Sequence, residues 1–471
     1  MAEVSSNVRR LPVPRTANDY VQYALSLMQE NLYFPAACVL RLLYPNLDAA
    51  DQPKIADLLV RCGVALHDRE LMQYCSKLEG GVQKELAAFM LNSALHERMR
   101  VEFRKAADGA CVAERFEHEE CVVVCAGGDK LVRQLYCNLS SLSRCWARGG
   151  REPVPDPVPD PVPEPVPEPV PEPVPVVPVV VAHAREIDLP LQRLLRAEFV
   201  DLDLHFVDLA EQPGLDHLDL RGFQIKLAAV ACVSAKRVLL MDADLLWVND
   251  PVPMVSDIKR GGFGAHLFCD FWHFNLRRHE KSSSTSFLYS LHEVDFDRLE
   301  FESGLVYLDR ERAFRSVAIL RHMLLHYKYY FSLTFGDKDL FHLALETQGV
   351  PHSTSPLPAM LGTVERGVFS SQSMVQSYRE GWASHIHTTL HPVGDDFFAT
   401  PTHICRDGSK IHFVQRRLGD RTVGTVACHT RDAEDLAAAE ASGFGPSFVK
   451  LVYRDAKRDY GRIDRLALAL T

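Results

Sequence analysis

Asp242 and Asp244 stand two apart in "VLLMDADLLWVNDP" (238–251), at the end of an apolar, strand-like run. Side chains alternate along a strand, so both carboxylates project the same way if the backbone stays extended. Two such charges repel unless a cation lies between them. Oxygen ligands with open positions suit Mg²⁺ or Mn²⁺, ions that normally also hold phosphate oxygens. At the C-terminal edge of an open α/β sheet, that arrangement makes a nucleotide-diphosphate site. A bare Asp-x-Asp also fits a solvated turn, so the surroundings decide. Here the motif ends a buried run, Leu245 and Leu246 continue it, and Lys226 lies sixteen residues upstream on an expected helix. Phosphatases of the haloacid-dehalogenase type share the strand-Asp-x-Asp pattern, with the first Asp as nucleophile. They normally carry Thr or Val two positions after the second Asp and open their domain with the motif. This chain has Leu246 there, and a complete β/α half precedes it.

The elements that must position the pair are legible on both sides. "CVVVCAGGDK" (121–130) reads as a strand ending in a glycine turn, and Leu131, Leu135, Leu139 and Leu142 then mark one face of a helix. Strand, glycine turn and helix open a nucleotide-binding α/β unit. A repeat, "PVPDPVPDPVPEPVPEPVPEPVPVVP" (153–178), interrupts it. Alternate prolines remove backbone donors and fix φ, which predicts polyproline II, a spacer of about 80 Å if fully extended. Its acids Asp156, Asp160, Glu164, Glu168 and Glu172 supply half of the net charge of −10. The α/β pattern resumes in "VVPVVVAHA", "LPLQRLLRAEF" and "LHFVDL", so the spacer is expected as a surface insertion within one domain, away from the site. Downstream, the helix "RGFQIKLAAVACVSA" leads into the Asp-x-Asp strand; "GAHLFCDFWHF", "ESGLVYLD", "RERAFRSVAILRHMLLHY", "TFGDKDLFHLALE" and a His-rich stretch follow.

Residues 17 to about 115 carry apolar residues at helical spacing, as in "ANDYVQYALSLMQENL" and "DQPKIADLLVRCGVAL". The expected division is a helical N-terminal domain over 1–116, an α/β domain over 117–405 and a C-terminal segment over 406–471 that packs on it. The helical domain and the proline repeat are the surfaces expected to meet any partner protein. The negative net charge gives no footprint for nucleic acid. Twelve scattered cysteines without a C-x-x-C pair read as reduced, buried hydrophobes. The first residues lack an apolar signal region and no stretch is long enough to span a bilayer, so a cytosolic, cytoplasmic location is expected. Asn138-Leu139-Ser140 matches a glycosylation sequon but falls on an expected helix.

Five segments together resemble the metal-dependent GT-A glycosyltransferases, most closely the fungal-type α-mannosyltransferase family. "VVVCAGGDK" with "NLSSLSRCWARGG" resembles the family's opening strand, turn and helix, and "LLMDADLLWVNDP" its Asp-x-Asp segment. "HLFCDFW", "FESGLVYLD" and "FGDKDLF" follow in the family's order, so the likeness covers about residues 120 to 410. Members of that family are membrane-anchored and work in the secretory pathway, and the helical region and the proline repeat fall outside the likeness.

The resemblance implies a GT-A fold preceded by an all-α domain, and transfer of a sugar from a nucleotide sugar to a glycan or glycoprotein acceptor. Mannose from GDP-mannose, with retention of configuration, is the expected donor chemistry. A UDP-sugar transferase of the same fold and a non-catalytic scaffold with a degenerate site are the alternatives. Asp242 and Asp244 become metal and diphosphate ligands, with Ala243 between them, and the metal is Mn²⁺ or Mg²⁺. A late histidine completes the set; of His385, His387, His391 and His403, the choice falls on His403 in "PTHICR", with His387 next and otherwise a substrate contact. Ala126, Gly127 and Gly128 let the first turn approach the nucleotide, and Arg133 and Lys226 face the diphosphate. Asp270, Trp272, Glu302 and Asp337 resemble positions around the donor sugar and acceptor. Asp270, Glu302 and Asp337 are the expected catalytic carboxylates, although Asp337 also suits a helix N-cap. A retaining transfer needs no side-chain base, because the departing phosphate can take the acceptor's proton on the same face.

Overall fold

The computed structural model describes residues 17–29, 33–44, 47, 52–65, 75, 93–110, 115–126, 128–147, 177–273, 282–294, 299–334, 336–365, 368–379, 382–388, 401–405, 412–418, 421–429, 434–435, 452, 454–459 and 462. The chain divides into two compact units, one of residues 1–102 with 273–298 and one of 103–272 with 299–471. The first unit thus joins the chain up to Glu102 with a segment from the middle of the sequence. Its described elements include the helices Ala17–Gln29, Tyr33–Leu43, Gln52–Ala65 and Ser282–Leu291. Ala24, Met28, Leu40, Ile55 and Leu59 form its core, with Phe287 packed against it. No helix among the described residues is long and apolar enough to cross a membrane.

The second unit is a mixed α/β structure built on two sheets. Its strands in chain order are β1 His118–Cys125, β2 Val179–His183, β3 Leu204–Asp208, β4 Ala235–Asp242, β5 Leu245–Trp247, β6 Ala265–His273, β7 Leu299–Asp309, β8 His352–Thr354, β9 Ala359–Glu365, β10 Val368–Arg379, β11 Trp382–His387, β12 His403–Cys405, β13 His412–Leu418 and β14 Arg421–His429. The mostly parallel sheet runs β3-β2-β1-β4-β7-β6-β8. β3, β2, β1 and β4 are parallel, and β7 runs antiparallel to β4. β1 and β4 are buried through Val122–Cys125 and Val238–Met241 because both faces are covered, which is why their sequences are continuous apolar runs rather than alternating ones.

The order matters for position. The chain leaves β1 in one direction to build β2 and β3, then returns to place β4 on the other side of β1. The connections diverge there, and a crevice opens at the carboxyl ends of β1 and β4. Cys125 and Asp242 lie directly opposite at those ends. The helix Gly128–Ala147 runs from that edge, and the chain re-enters the sheet at Val177–Val179, beside Val122. The two ends of the proline-rich insertion are thus attached away from the edge that carries Asp242; the insertion itself lies outside the described residues.

The second sheet gathers β13-β14-β10-β9-β12, with β11 joining β10 to the short β5. The region from 406 therefore contributes β13 and β14 to this sheet. The sheet packs through Leu361, Val375, Ile386 and Ile404 against Leu246, Val248 and Cys137. The Asp250-Pro251 pair starts the helix Pro251–Arg260: Asp250 accepts from the Val252 amide at 2.9 Å, and the proline occupies a first-turn position where no donor is needed.

Asn138 is fully buried. Its side-chain amide donates to the Asp242 carbonyl at 3.0 Å, so the sequon's asparagine is a structural group. One turn on, the Ser141 hydroxyl accepts from the Trp247 amide at 2.9 Å and donates to the Asn138 carbonyl at 2.7 Å. The helix thereby grips both sides of the Asp-x-Asp turn. Ser141→Ala leaves the buried Trp247 amide without its acceptor and should lower unfolding free energy by about 1–3 kcal/mol, measured by urea denaturation.

Candidate metal and nucleotide site

Each residue of the Asp-x-Asp segment is held from a different element. β4 ends at Asp242, a two-residue turn follows, and β5 begins at Leu245. The Asp242 carbonyl is bound by Asn138, and the Asp244 carbonyl accepts from both the amide and the hydroxyl of Thr388, at 3.2 and 2.8 Å. Thr388 follows β11, which pairs antiparallel with β5 in the register His387↔Leu245. That register brings His387 over the two carboxylates. Its Nε2 lies 3.3 Å from Asp244 Oδ1 and 4.0 Å from Asp242 Oδ2, and its Nδ1 lies 3.9 Å from Glu302 Oε1.

Asp242, Asp244 and His387 each offer one ligand atom, and the three atoms lie within 4.8 Å of one another. Asp244 Oδ1 and His387 Nδ1 are buried without a well-formed hydrogen bond. Buried polar atoms normally find a partner. Two carboxylate oxygens and one imidazole suit Mn²⁺, and the residues present fit such an ion on donor type, spacing and unmet hydrogen bonding.

The geometry around His387 depends on Gly304. A Cβ at that position would lie 2.5 Å from His387 Cε1 and 2.7 Å from its Nδ1. Any larger residue in "ESGLVYLD" displaces the imidazole. Gly304 sits on β7 next to Glu302, whose Oε1 accepts from the Ser303 and Gly304 amides at 2.9 and 3.1 Å.

Lys226 is the second fixed point. It is 4% exposed, on the helix Gln224–Cys232. Its Nζ lies 2.9 Å from Asp242 Oδ2, 3.0 Å from Asp337 Oδ2, and 2.9 Å from both the carbonyl and the hydroxyl oxygen of Ser303. Burial alone would lower its pKa, but Asp242 and Asp337 hold it above the ordinary lysine value. Burial pushes Asp242 up to about 7, with Lys226 opposing and Asp244 and Asp337 adding to the rise. Burial also acts to raise Asp244, but the neighbouring His387 holds it below the usual carboxylate value. His387, which burial would lower, is raised to about 9 by Asp244, Glu302 and Asp242. Environment thus drives the two aspartates apart in acidity.

A second buried ion group adjoins through the "FGDKD" segment. Lys338 Nζ contacts Asp270 Oδ2 at 2.6 Å and Glu300 Oε2 at 2.8 Å. Asp339, in a left-handed conformation at φ 66°, accepts from the Phe301 amide at 2.8 Å. Asp337 does not cap the helix Leu340–Glu346; Asp339 occupies that position, and Asp337 turns inward to Lys226. Burial raises Asp270, Asp337 and Asp339 alike, with Lys338 or Lys226 opposing. Carboxylates therefore outnumber Lys226, Lys338 and His387 among these buried groups.

The structure assembles Asp242, Asp244, Lys226, Asp337, Glu302 and His387 into one constellation, with Asp270 in the adjoining one. Ala126, 1% exposed, follows β1 at the same edge, where its amide donates to the Ala182 carbonyl at 3.0 Å. Ala243 is buried beneath the turn. Gly128 begins the helix after β1, and Gly127 lies outside the described residues. Arg133 is exposed on that helix, in contrast to Lys226. Trp272 lies on β6, but its side chain is outside the description.

Among the late histidines, the expectation for His403 is not matched by its placement. His403 sits on β12, opposite Gly362 of β9, and its Nδ1 pairs with the Thr402 hydroxyl at 2.8 Å. His387, expected as a substrate contact, is the histidine that meets the aspartates. His385 packs edge-on against Phe268 at 4.9 Å, and burial lowers its pKa well below the ordinary value. His391 lies outside the described residues. Sequence reasoning passed over Lys338, Glu300, Asn138, Thr388 and Gly304. Lys338 alone carried a signal, as a lysine flanked by two aspartates in "GDKD".

No family model and no curated protein matches the sequence. Among solved structures, a glycosyltransferase of Streptococcus pneumoniae aligns at 13% identity over 50% of this chain and 45% of its own, with a TM-score of 0.31. A mouse xyloside xylosyltransferase aligns at 15% identity over 50% of this chain and 84% of its own, with a TM-score of 0.31. A mannosyltransferase of Pyrobaculum calidifontis, solved with GDP-Man and Mn²⁺, aligns at 16% identity over 57% and 66%, with a TM-score of 0.27. This chain spans less than half of the pneumococcal enzyme's length. With each TM-score below 0.5, the functional reading rests on the site itself.

Lys226 compensates Asp337, whose side chain is almost fully buried, and Asp242, which is partly buried. Lys226→Met strands Asp242 and Asp337 together and should cost about 3–5 kcal/mol of stability by urea denaturation, the range for breaking a buried ion pair.

Proposed function

We propose that this protein is a metal-dependent glycosyltransferase that uses a nucleotide sugar. The observation that carries the reading is the convergence of Asp242, Asp244 and His387 in the crevice where β1 and β4 end and the strand order reverses. That is where open α/β sheets bind nucleotides, and a cluster of buried carboxylates there favours a cation. Asp242, Asp244 and His387 would hold Mn²⁺ or Mg²⁺. When bound, the ion neutralises charge on the departing nucleoside diphosphate.

The chain's own residues do the rest. Ala126 and Gly128 carry small side chains or none at the end of β1, and with Gly127 they would admit the nucleotide close to the backbone. Asn138 and Thr388 fix the backbone of the ligand turn from opposite sides. Lys226 and Asp337 hold Asp242 in its rotamer, which makes Asp337 a positioning residue rather than an acid or base. We assign Glu302 and Asp270 as acceptors for sugar hydroxyls and Trp272 as the aromatic partner of the ring, on the resemblance of their segments to the family. Arg133 is the exposed cation of the first helix and the remaining diphosphate contact. On the same resemblance the transfer retains configuration, and the departing phosphate can then take the acceptor's proton, so no side-chain base is needed. We favour mannose from GDP-mannose as donor, on the resemblance of the five sequence segments to the α-mannosyltransferases; a UDP-sugar would use the same site. The acceptor is a glycan or glycoprotein.

Thermal unfolding measured with GDP- and UDP-sugars, with and without Mn²⁺, tests the reading directly. A cognate nucleotide at a hundred times its dissociation constant should stabilise the protein by about 2.7 kcal/mol, only with metal and not in Asp244→Ala. The absence of any metal-dependent shift across the panel would point to a scaffold with a degenerate site. Gly304→Ala, which pushes a methyl into the His387 ring, should weaken Mn²⁺ binding by about 10–100-fold in a direct titration, as displacement of a ligand's support does. Unchanged Mn²⁺ affinity in that variant would remove His387 from the ligand set.

A further inference from the structure

His342, Glu346 and His352 form another convergence of metal-type donors, on other residues and other elements than the Asp-x-Asp site. His342 and Glu346 are four apart on the helix Leu340–Glu346, so they share a face. The chain then turns sharply. Gly349 adopts φ 59°, its amide donates to the Glu346 carbonyl at 3.0 Å, and the Val350 amide donates to the Leu345 carbonyl at 3.1 Å. This glycine-centred helix stop fixes the reversal and returns His352, the first residue of β8, to the face that carries His342 and Glu346.

The donor atoms are oriented as ligands. His342 Nε2 and His352 Nε2 lie 3.4 and 3.6 Å from the same oxygen, Glu346 Oε1. A tetrahedral zinc with bonds of about 2.0–2.1 Å holds neighbouring ligand atoms about 3.3–3.4 Å apart. His352 Nδ1 lies 3.0 Å from the Val350 carbonyl. A carbonyl can only accept, so Nδ1 is the donor in this contact and Nε2 is the ring nitrogen left facing the cluster. A backbone carbonyl in this role is the usual outer partner of a metal-binding histidine. His342 is fully buried and stacked on Phe301 at 4.3 Å, so its ring direction is set by packing.

We propose that His342, Glu346 and His352 form a zinc site with three protein ligands and a fourth position open to water. Two imidazoles and one carboxylate favour zinc over magnesium or calcium. Glu346, with 29% of its side chain accessible, marks the open side, whereas the His342 side chain has no exposure. The ion would tie the end of the helix Leu340–Glu346 to β8. The same helix begins just after Asp337 and Lys338, so the site braces the segment that carries both buried ion groups. The proposal does not depend on the transferase reading.

The test uses the full chain carrying Asp242→Asn and Asp244→Asn, which disables the Asp-x-Asp cluster, after removal of metals by chelator. Titration with Co²⁺ should give one equivalent bound, a visible absorption band of the tetrahedral type, and displacement by Zn²⁺. In the same background, Glu346→Gln and His352→Asn should each weaken Co²⁺ binding by more than about a hundredfold, beyond the 10–100-fold attached to an outer partner. Circular dichroism reports whether each variant keeps its fold, and Glu346→Gln, at the open rim, decides the matter if His352→Asn does not. No bound Co²⁺ in the parent, or a band that survives in the folded Glu346→Gln variant, would overturn the proposal and leave three side chains joined only by His–Glu ion pairs.

Discussion

The ammonium of Lys226 is the interaction on which the site depends. It lies within about hydrogen-bonding distance of Asp242 on β4, Asp337 on the "FGDKD" segment, and Ser303 on β7, and so joins three stretches far apart in sequence. A buried lysine is costly unless it is paired and hydrogen-bonded, and this one is both. The two carboxylates it serves are costly without it. Each group is thereby tolerable only in the company of the others, which specifies the relative placement of three elements more sharply than apolar contacts do.

Around that point carboxylates outnumber cations among the described residues, where Lys226, Lys338 and His387 face Asp242, Asp244, Asp270, Glu300, Glu302 and Asp337. Burial raises the pKa of Asp242, Asp270, Asp337 and Asp339, with Lys226 or Lys338 opposing the rise. Asp244 is the exception, kept acidic by His387. A divalent cation at Asp242, Asp244 and His387 relieves the imbalance, and that is the physical link between the fold's electrostatics and the proposed chemistry.

Precision at the Asp-x-Asp turn comes from its backbone as much as from its side chains. Asn138 reaches the Asp242 carbonyl from the first helix, and Thr388 reaches the Asp244 carbonyl from the second sheet. Gly304 keeps the space that the His387 ring fills. These groups touch no ligand, yet they fix where the ligand atoms lie. The proline-rich insertion, by contrast, is attached to the second unit at the end of the first helix and the start of β2, away from this turn.

The sequence by itself determined the local elements. Continuous apolar runs announced β1 and β4, and the strand-glycine-helix opening announced an α/β unit with its ligand edge at Asp242. Lys226 entered the site as a lysine on the helix before the Asp-x-Asp strand, and Asp337 through the resemblance of "FGDKDLF" to the family. Which partners was a matter for the tertiary structure. His387 and His403 have similar local surroundings, and only the antiparallel register of β5 with β11 brings the first to the aspartates and leaves the second beside Thr402. The need for glycine at 304 is likewise invisible in "ESGLVYLD", since the excluding atom belongs to a residue 83 positions later. Periodicity and propensity are short-range properties and can be read from neighbours in the chain. Register between distant strands is set by packing of whole sheets, and no local pattern encodes it.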